Sequence, residues 1–225
     1  MPRLHTHILR LSFLCGSLVA MALGQAGNSS VPKASPELLL ENDYVRVFRQ
    51  TVESGAVPTY DRSRDSVVVA LGGEAKEARA EVTFVSRGPK SPMLPATAPY
   101  TALVIELKQH RGAAVRSCDA SSVCSRKITA GGVEIGETRF LFGNGFVSAY
   151  RHHLVPGGTL DSSYYSAKGT NRILVVALTD LHVNLGGIDQ TLAPGQVYFS
   201  DRTEAEVNAV GQEATWVVVR FLTQK

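Results

Sequence analysis

Residues 42–56, NDYVRVFRQTVESGA, recur as residues 144–158, NGFVSAYRHHLVPGG. At a constant offset of 102, without a gap, Asn42 matches Asn144, Val45 matches Val147, Arg49 matches Arg151 and Gly55 matches Gly157. Tyr44/Phe146, Phe48/Tyr150 and Val52/Leu154 are conservative pairs. Working outward, Val69-Ala70-Leu71 recurs as Val176-Ala177-Leu178 at offset 107, and TALVIEL (101–107) recurs as TWVVVRF (215–221) at offset 114. Ordered matches with slowly growing offsets mark a duplicated domain with small loop insertions.

The repeated unit reads as β structure. YVRVFRQTV, SVVVAL, AEVTFV, TALVIEL, RFLF, FVSAYRHHLV, RILVVAL, QVYFS and WVVVRFL are short runs rich in Val, Tyr, Phe and Ile. Gly, Pro, Asn and Asp separate them at the spacing of a sandwich or barrel. No window of a dozen residues carries a helical stripe. Segment 37–42 reads as either a short helical turn or an edge strand. The fold class is therefore all-β. The chain divides into a first domain over 37–108, a connector over 109–138 and a second domain over 139–225.

Ahead of this body lies a targeting pattern. Arg3 and Arg10 precede the apolar run LSFLCGSLVAMALG, and Ala22-Leu23-Gly24 resembles a small-residue cleavage site. Residues 1–24 thus read as a secretory signal peptide, with 25–36 a flexible leader. The run is short of the roughly 20 residues a membrane span needs. The expected product is secreted or periplasmic, with no membrane span after cleavage. Asn28-Ser29-Ser30 matches a glycosylation acceptor, which matters only in a host that glycosylates. Losing Arg3 and Arg10 lowers the formal net charge from +3 to +1. That balance argues against nucleic acid and against an anionic membrane surface as partners. Cys118 and Cys124 then remain, close together in a polar stretch, and in an exported protein they are expected to pair as a disulfide.

A strand, a Gly-containing turn, a polar segment and a VVVAL strand, centred on PTYDRSRDSVVVALGG (58–73), resemble the cupin family of small β-barrels. The resemblance spans about 37–222 and implies two tandem jelly-roll barrels, a bicupin. Cupins carry a first motif G-x5-H-x-H-x3–4-E-x6-G and a second motif G-x5-P-x-G-x2-H-x3-N. Their three His and one Glu hold a divalent metal, because barrel strands present imidazoles and a carboxylate inward. Here Gly55 opens the motif, but Tyr60 and Arg62 stand at the paired His positions. Asp65 is a relic of the acidic one, and Lys90 falls at the third His. In the second half Gly157 or Gly158 opens the motif. The paired positions become Ser163 and Tyr165, or Tyr164 and Ser166, according to register. GGIDQTLAPGQVYFSDRTEAEVNAVG (186–211) carries the second motif with Pro194-Gly195 adjacent, Glu204 at the His position and Asn208 closing. The resemblance therefore implies the fold, with both metal sites degenerate and no metal or other cofactor.

Several residues remain as candidates for a ligand site. Tyr60, Arg62 and Lys90 would line the first cavity, where they bind a small anion or simply pair with nearby acids. Tyr165, Glu204 and Asn208, with Tyr164, would line the second. Arg49 and Arg151 occupy equivalent positions and can each grip a carboxylate through paired hydrogen bonds. An ion pair with Glu106 that stitches strands is the alternative. His152 and His153 must point to opposite faces of a strand. His110 and His182 read as structural. The expected function is an exported, non-enzymatic module that binds a small polar or anionic ligand or acts structurally. The alternatives are a metal-free isomerase- or epimerase-like enzyme, a site built around His153 and Glu204, or a protein-binding envelope component. A homodimer is compatible with the family. No serine-hydrolase elbow, phosphate loop or H-E-x-x-H motif is present.

Overall fold

The duplication is reproduced in one five-stranded sheet of each repeat, down to the turns that flank the repeated strand. The structure, a computed structural model, describes residues 35–71, 82–88, 93, 95–109, 116–118, 124–161, 170–185, 187–201, 205–209 and 211–222. The first repeat supplies β1 (Glu37–Glu41), β2 (Val45–Val52), β3 (Ser66–Leu71), β4 (Val82–Val85) and β5 (Tyr100–Leu107). These form one antiparallel sheet in the order β1-β2-β5-β3-β4. After β6 (Arg116–Ser117) and β7 (Ser125–Ala130), the second repeat supplies β8 (Val133–Gly143), β9 (Val147–Leu154), β10 (Thr159–Leu160) and β11 (Thr170–Ala177). It continues with β12 (Leu181–Leu185), β13 (Ile188–Leu192), β14 (Val197–Ser200), β15 (Ala205–Asn208) and β16 (Ala214–Leu222). Five of its strands run in the order β8-β9-β16-β11-β14, matching the first sheet position for position. Segment 37–42 is thereby an edge strand. The connector carries β6, β7 and the start of β8, so it extends the second sheet.

Register confirms the offsets read from the sequence. Val45 faces Leu107 on β5, and Val147 faces Phe221 on β16. Ser66 faces Glu106, and Ile173 faces Arg220. Both copies slip register at the same place, between Leu38 and Leu40 and between Phe140 and Phe142, where an extra residue bends the strand. The Asn42 and Asn144 side chains each accept two backbone N–H groups at 2.8–3.0 Å, from Tyr44 and Val45 and from Phe146 and Val147. This is the side-chain turn for which Asn is suited. At the other strand end, Gly55 (φ 77°) and Gly157 (φ 81°) occupy the left-handed region that Gly enters without cost. Their amides donate to Ala96 and Ala209 carbonyls, at 2.7 and 2.6 Å.

Strand alternation sorts each sheet into two faces. On one face Val45, Val47, Val67, Val69, Leu103, Ile105 and Leu107 of the first repeat share a core cluster with Val147, Ala149, Leu174, Val176, Val217, Val219 and Phe221 of the second. The two sheets therefore pack against each other through corresponding faces. Tyr44 stacks on Phe199 at 5.9 Å, Arg172 lies 4.3 Å above the Tyr44 ring, and Phe84 meets Phe142 at 5.1 Å, all across the repeat boundary. The opposite faces carry separate cores, around Val52, Val68, Val85, Ala102 and Val104 in the first repeat. In the second the core gathers Leu154, Leu160, Ile173, Val175, Trp216 and Val218. A further sheet, β10-β15-β12-β13, contributes Leu160, Val207, Leu181, Val183 and Leu192 to that second core. Burial on both faces explains why the central strands read as unbroken Val runs rather than alternating ones.

Candidate functional site

On the inward face of the second repeat the described side chains pack on one another. His152 and Trp216 are both 0% exposed, with ring centroids 5.1 Å apart, and Tyr150 stacks on His152 at 6.2 Å. Arg220 lies 4.7 Å over the Tyr150 ring. Burial, assisted by the Arg220 charge, pushes the His152 imidazole down to about 3 from its ordinary value, so it is neutral at pH 7. In the first repeat the corresponding positions are Gln50 and Ala102. The Gln50 amide donates to the Thr59 carbonyl at 2.9 Å and accepts the Thr59 N–H at 3.0 Å. Glu106, the counterpart of Arg220, accepts the Asp61 N–H at 2.8 Å. These two side chains strap segment 59–61, the stretch that would carry metal ligands, to the sheet.

Several expected site residues are placed differently by the structure. Arg62 is exposed, beside the backbone that Gln50 and Glu106 hold at Thr59 and Asp61. Tyr60 is partly buried against the first-repeat core. Arg49 lies on the opposite face from Glu106, so the strand-stitching pair with Glu106 does not form. It pairs instead with Glu37 at 3.3 Å and donates to the Gly195 carbonyl at 3.1 Å, clasping the two repeats together. Of the two histidines it is His152 that faces inward; His153 faces outward, its Nδ1 3.1 Å from Thr215 Oγ1 and its Nε2 4.0 Å from a Glu213 carboxylate oxygen. Asn208 sits on the polar face of the further sheet, donating to Glu206 at 3.3 Å. Cys118 and Cys124 form the expected disulfide. Lys90, Tyr164, Tyr165 and Glu204 lie outside the described residues.

The metal set of the resembled family does not fit the first repeat. Tyr60 packs against the core, Arg62 is an exposed cation, and Gln50 and Glu106 are engaged by backbone groups. Among the described residues, no group of three His, Cys, Asp or Glu side chains is close enough to hold an ion.

A polar cleft does form, on the outward face of β8 and β9 beyond the sheet-to-sheet core. Glu137, Arg139, Arg151 and His153 line about 330 Å3. Register places Arg139 directly opposite Arg151, and Glu137 directly opposite His153. Like charges placed directly across an antiparallel pair are unfavourable by themselves. The first repeat is an internal control: Glu37 faces Arg49 there, at the positions equivalent to Arg139 and Arg151. One copy therefore carries a neutral ion pair where the other carries two guanidinium groups. Arg151 and His153 were visible as candidates in the sequence. Glu137 and Arg139 were not, although extending the 102-residue alignment back to Glu37 exposes the charge reversal.

No family model matches the chain, and no curated protein matches it. Solved structures do. A protein from Pseudomonas aeruginosa named for glyoxylate induction aligns at 8% identity over 85% of this chain and 80% of its own, with a TM-score of 0.55. AerE from Microcystis aeruginosa aligns at 11% identity over 83% and 97%, with a TM-score of 0.51. A cupin 2 conserved barrel domain protein from Leptotrichia buccalis aligns at 11% identity over 84% and 88%, with a TM-score of 0.45. At these identities the likeness is one of fold.

Proposed function

We propose that this chain, which has the cupin fold, is an exported bicupin that binds a small anion at the Arg139–Arg151 cleft without metal chemistry. The observation that carries this reading is the replacement of the first repeat's Glu37–Arg49 pair by two arginines facing each other. Two planar guanidinium forks on adjacent strands offer paired donors to one oxyanion, the geometry in which Arg outperforms Lys. The buried His152–Trp216 pair of the second repeat and the strapped motif segment of the first support a binding role over a metal-dependent reaction. Fold likeness alone would not decide this, since cupin folds host many activities. Removal of residues 1–24 and the two-barrel organisation belong to the same proposal.

Calorimetric titration of the mature chain with inorganic phosphate and with hexanoate tests it. Saturable one-to-one binding of at least one of them is expected. It should weaken at least tenfold in the double variant Arg139→Gln/Arg151→Gln. No saturable binding in the wild type, or equal binding in the double variant, would remove the cleft as the site.

A further inference from the structure

We infer that the ligand of this cleft is a polyhydroxylated carboxylic acid. Its carboxylate lies between Arg139 and Arg151, and a hydroxyl further along the chain donates to Glu137. The inference rests on the anion-binding reading above and names the class of anion.

The argument turns on Glu137. An ionised carboxylate only accepts hydrogen bonds, so beside an arginine pair it opposes a bare anion. The same carboxylate favours an anion that also carries hydroxyl donors. Glu137 is exposed, and it is specific to the second repeat, whose counterpart position in the first is Ser35. Lys127, which faces Glu137 from β7, forms its ion pair with Glu134. The second group in the Glu137 row, His153, has its Nδ1 against the Thr215 hydroxyl, leaving a row able to exchange hydrogen bonds with hydroxyls. The arginine row and the Glu137–His153 row are two residues apart along β8 and β9. That separation is about 6–7 Å, roughly the span from carboxylate to distal hydroxyl in a sugar acid of about five or six carbons. A cleft of about 330 Å3 lies at the small end of ligand sites, as such a molecule requires. Among the described residues the lining holds two cations, one carboxylate and one imidazole.

The test compares D-gluconate with hexanoate, which has the same charge and chain length but no hydroxyls. Each is titrated calorimetrically into the wild type, Glu137→Gln and Arg139→Gln/Arg151→Gln. The expected result is at least a tenfold preference for gluconate in the wild type. That preference should fall below about threefold in Glu137→Gln, and both ligands should be lost in the arginine variant. Equal wild-type affinities would overturn the hydroxyl inference while leaving the anion site standing. Absence of binding by either ligand would overturn both. A gluconate preference unchanged in Glu137→Gln would overturn the role given to Glu137. Urea unfolding midpoints of the variants show whether each is folded during the titration.

Discussion

Replacing Trp216 by Ala should destabilise the protein by about 3–5 kcal/mol. The side chain is 0% exposed and central in the second-repeat core, between His152 on β9 and Ala177 on β11. A buried Trp removes about 150–250 Å2 from water, and at about 25 cal/mol per Å2 the transfer contribution is roughly 4–6 kcal/mol. That figure is an upper bound, because unfolded chains already bury part of their surface. Measured Trp-to-Ala losses of about 3–5 kcal/mol include the cavity left behind. The site collapses poorly, because the rigid strands β9 and β11 flank it on both sides. Trp216→Phe, which keeps an aromatic ring beside His152, should lose less than half as much. The assay is urea unfolding followed by far-ultraviolet circular dichroism, which does not depend on the chain's single Trp. A loss below about 1 kcal/mol at unchanged slope would show that the second repeat's interior is open or hydrated, refuting the filled-core account.

Other perturbations probe the same architecture. A Cβ on Gly136 would stand 2.1 Å from the His153 carbonyl oxygen and 2.9 Å from a Leu154 methyl. Gly136→Ala should therefore cost about 2 kcal/mol or more by forcing β8 away from β9, and a thermal unfolding midpoint within a degree of wild type would contradict that placement. Because burial holds the folded His152 at about 3, below its unfolded value near 6.5, the unfolded state binds the extra proton. Stability is then fully present above about pH 6.5 and falls towards pH 3 by up to about 1.4 kcal/mol per pH unit. His152→Gln, which copies the first repeat, should flatten that slope; identical slopes in the two proteins would remove His152 as its source. Arg49→Met deletes the clasp to Gly195 and should cost about 1 kcal/mol, since the lost donor is charged but partly solvated. A double-mutant cycle with Glu37→Gln should find coupling under about 0.5 kcal/mol, because Glu37 is largely exposed.

The fold was legible because duplication repeats local signals that are decided by neighbours in sequence. Asn42/Asn144 and Gly55/Gly157 fix turns through their own backbone conformation, and the offsets 102, 107 and 114 survive unchanged as strand register. The opposite orientation of His152 and His153 followed from strand alternation alone. What was not legible depends on which face of a sheet meets which. Nothing local shows that Val45 and Val147 pack towards each other, so the destination of Arg49 across the repeat boundary at Gly195 could not be read. Motif alignment placed Arg62 at a ligand position, but Arg62 is exposed beside a backbone held by Gln50 at Thr59 and by Glu106, which accepts the Asp61 N–H. Gln50 lies ahead of the glycine that opens the motif, and Glu106 lies 45 positions beyond Asp61, so both partners fall outside the motif. The cleft was half legible: Arg151 and His153 stand inside the repeated segment, while Glu137 and Arg139 come from the less similar strand before it.

The most direct test of the anion-binding claim is to watch the arginines themselves. Side-chain Nε–Hε resonances of the 15N-labelled mature chain would be assigned with Arg139→Gln and Arg151→Gln, then followed as D-gluconate is added. The account predicts saturable shifts of the Arg139 and Arg151 signals with one common dissociation constant, while Arg49 and Arg62 stay still. Saturable shifts at other arginines with Arg139 and Arg151 unmoved would contradict it.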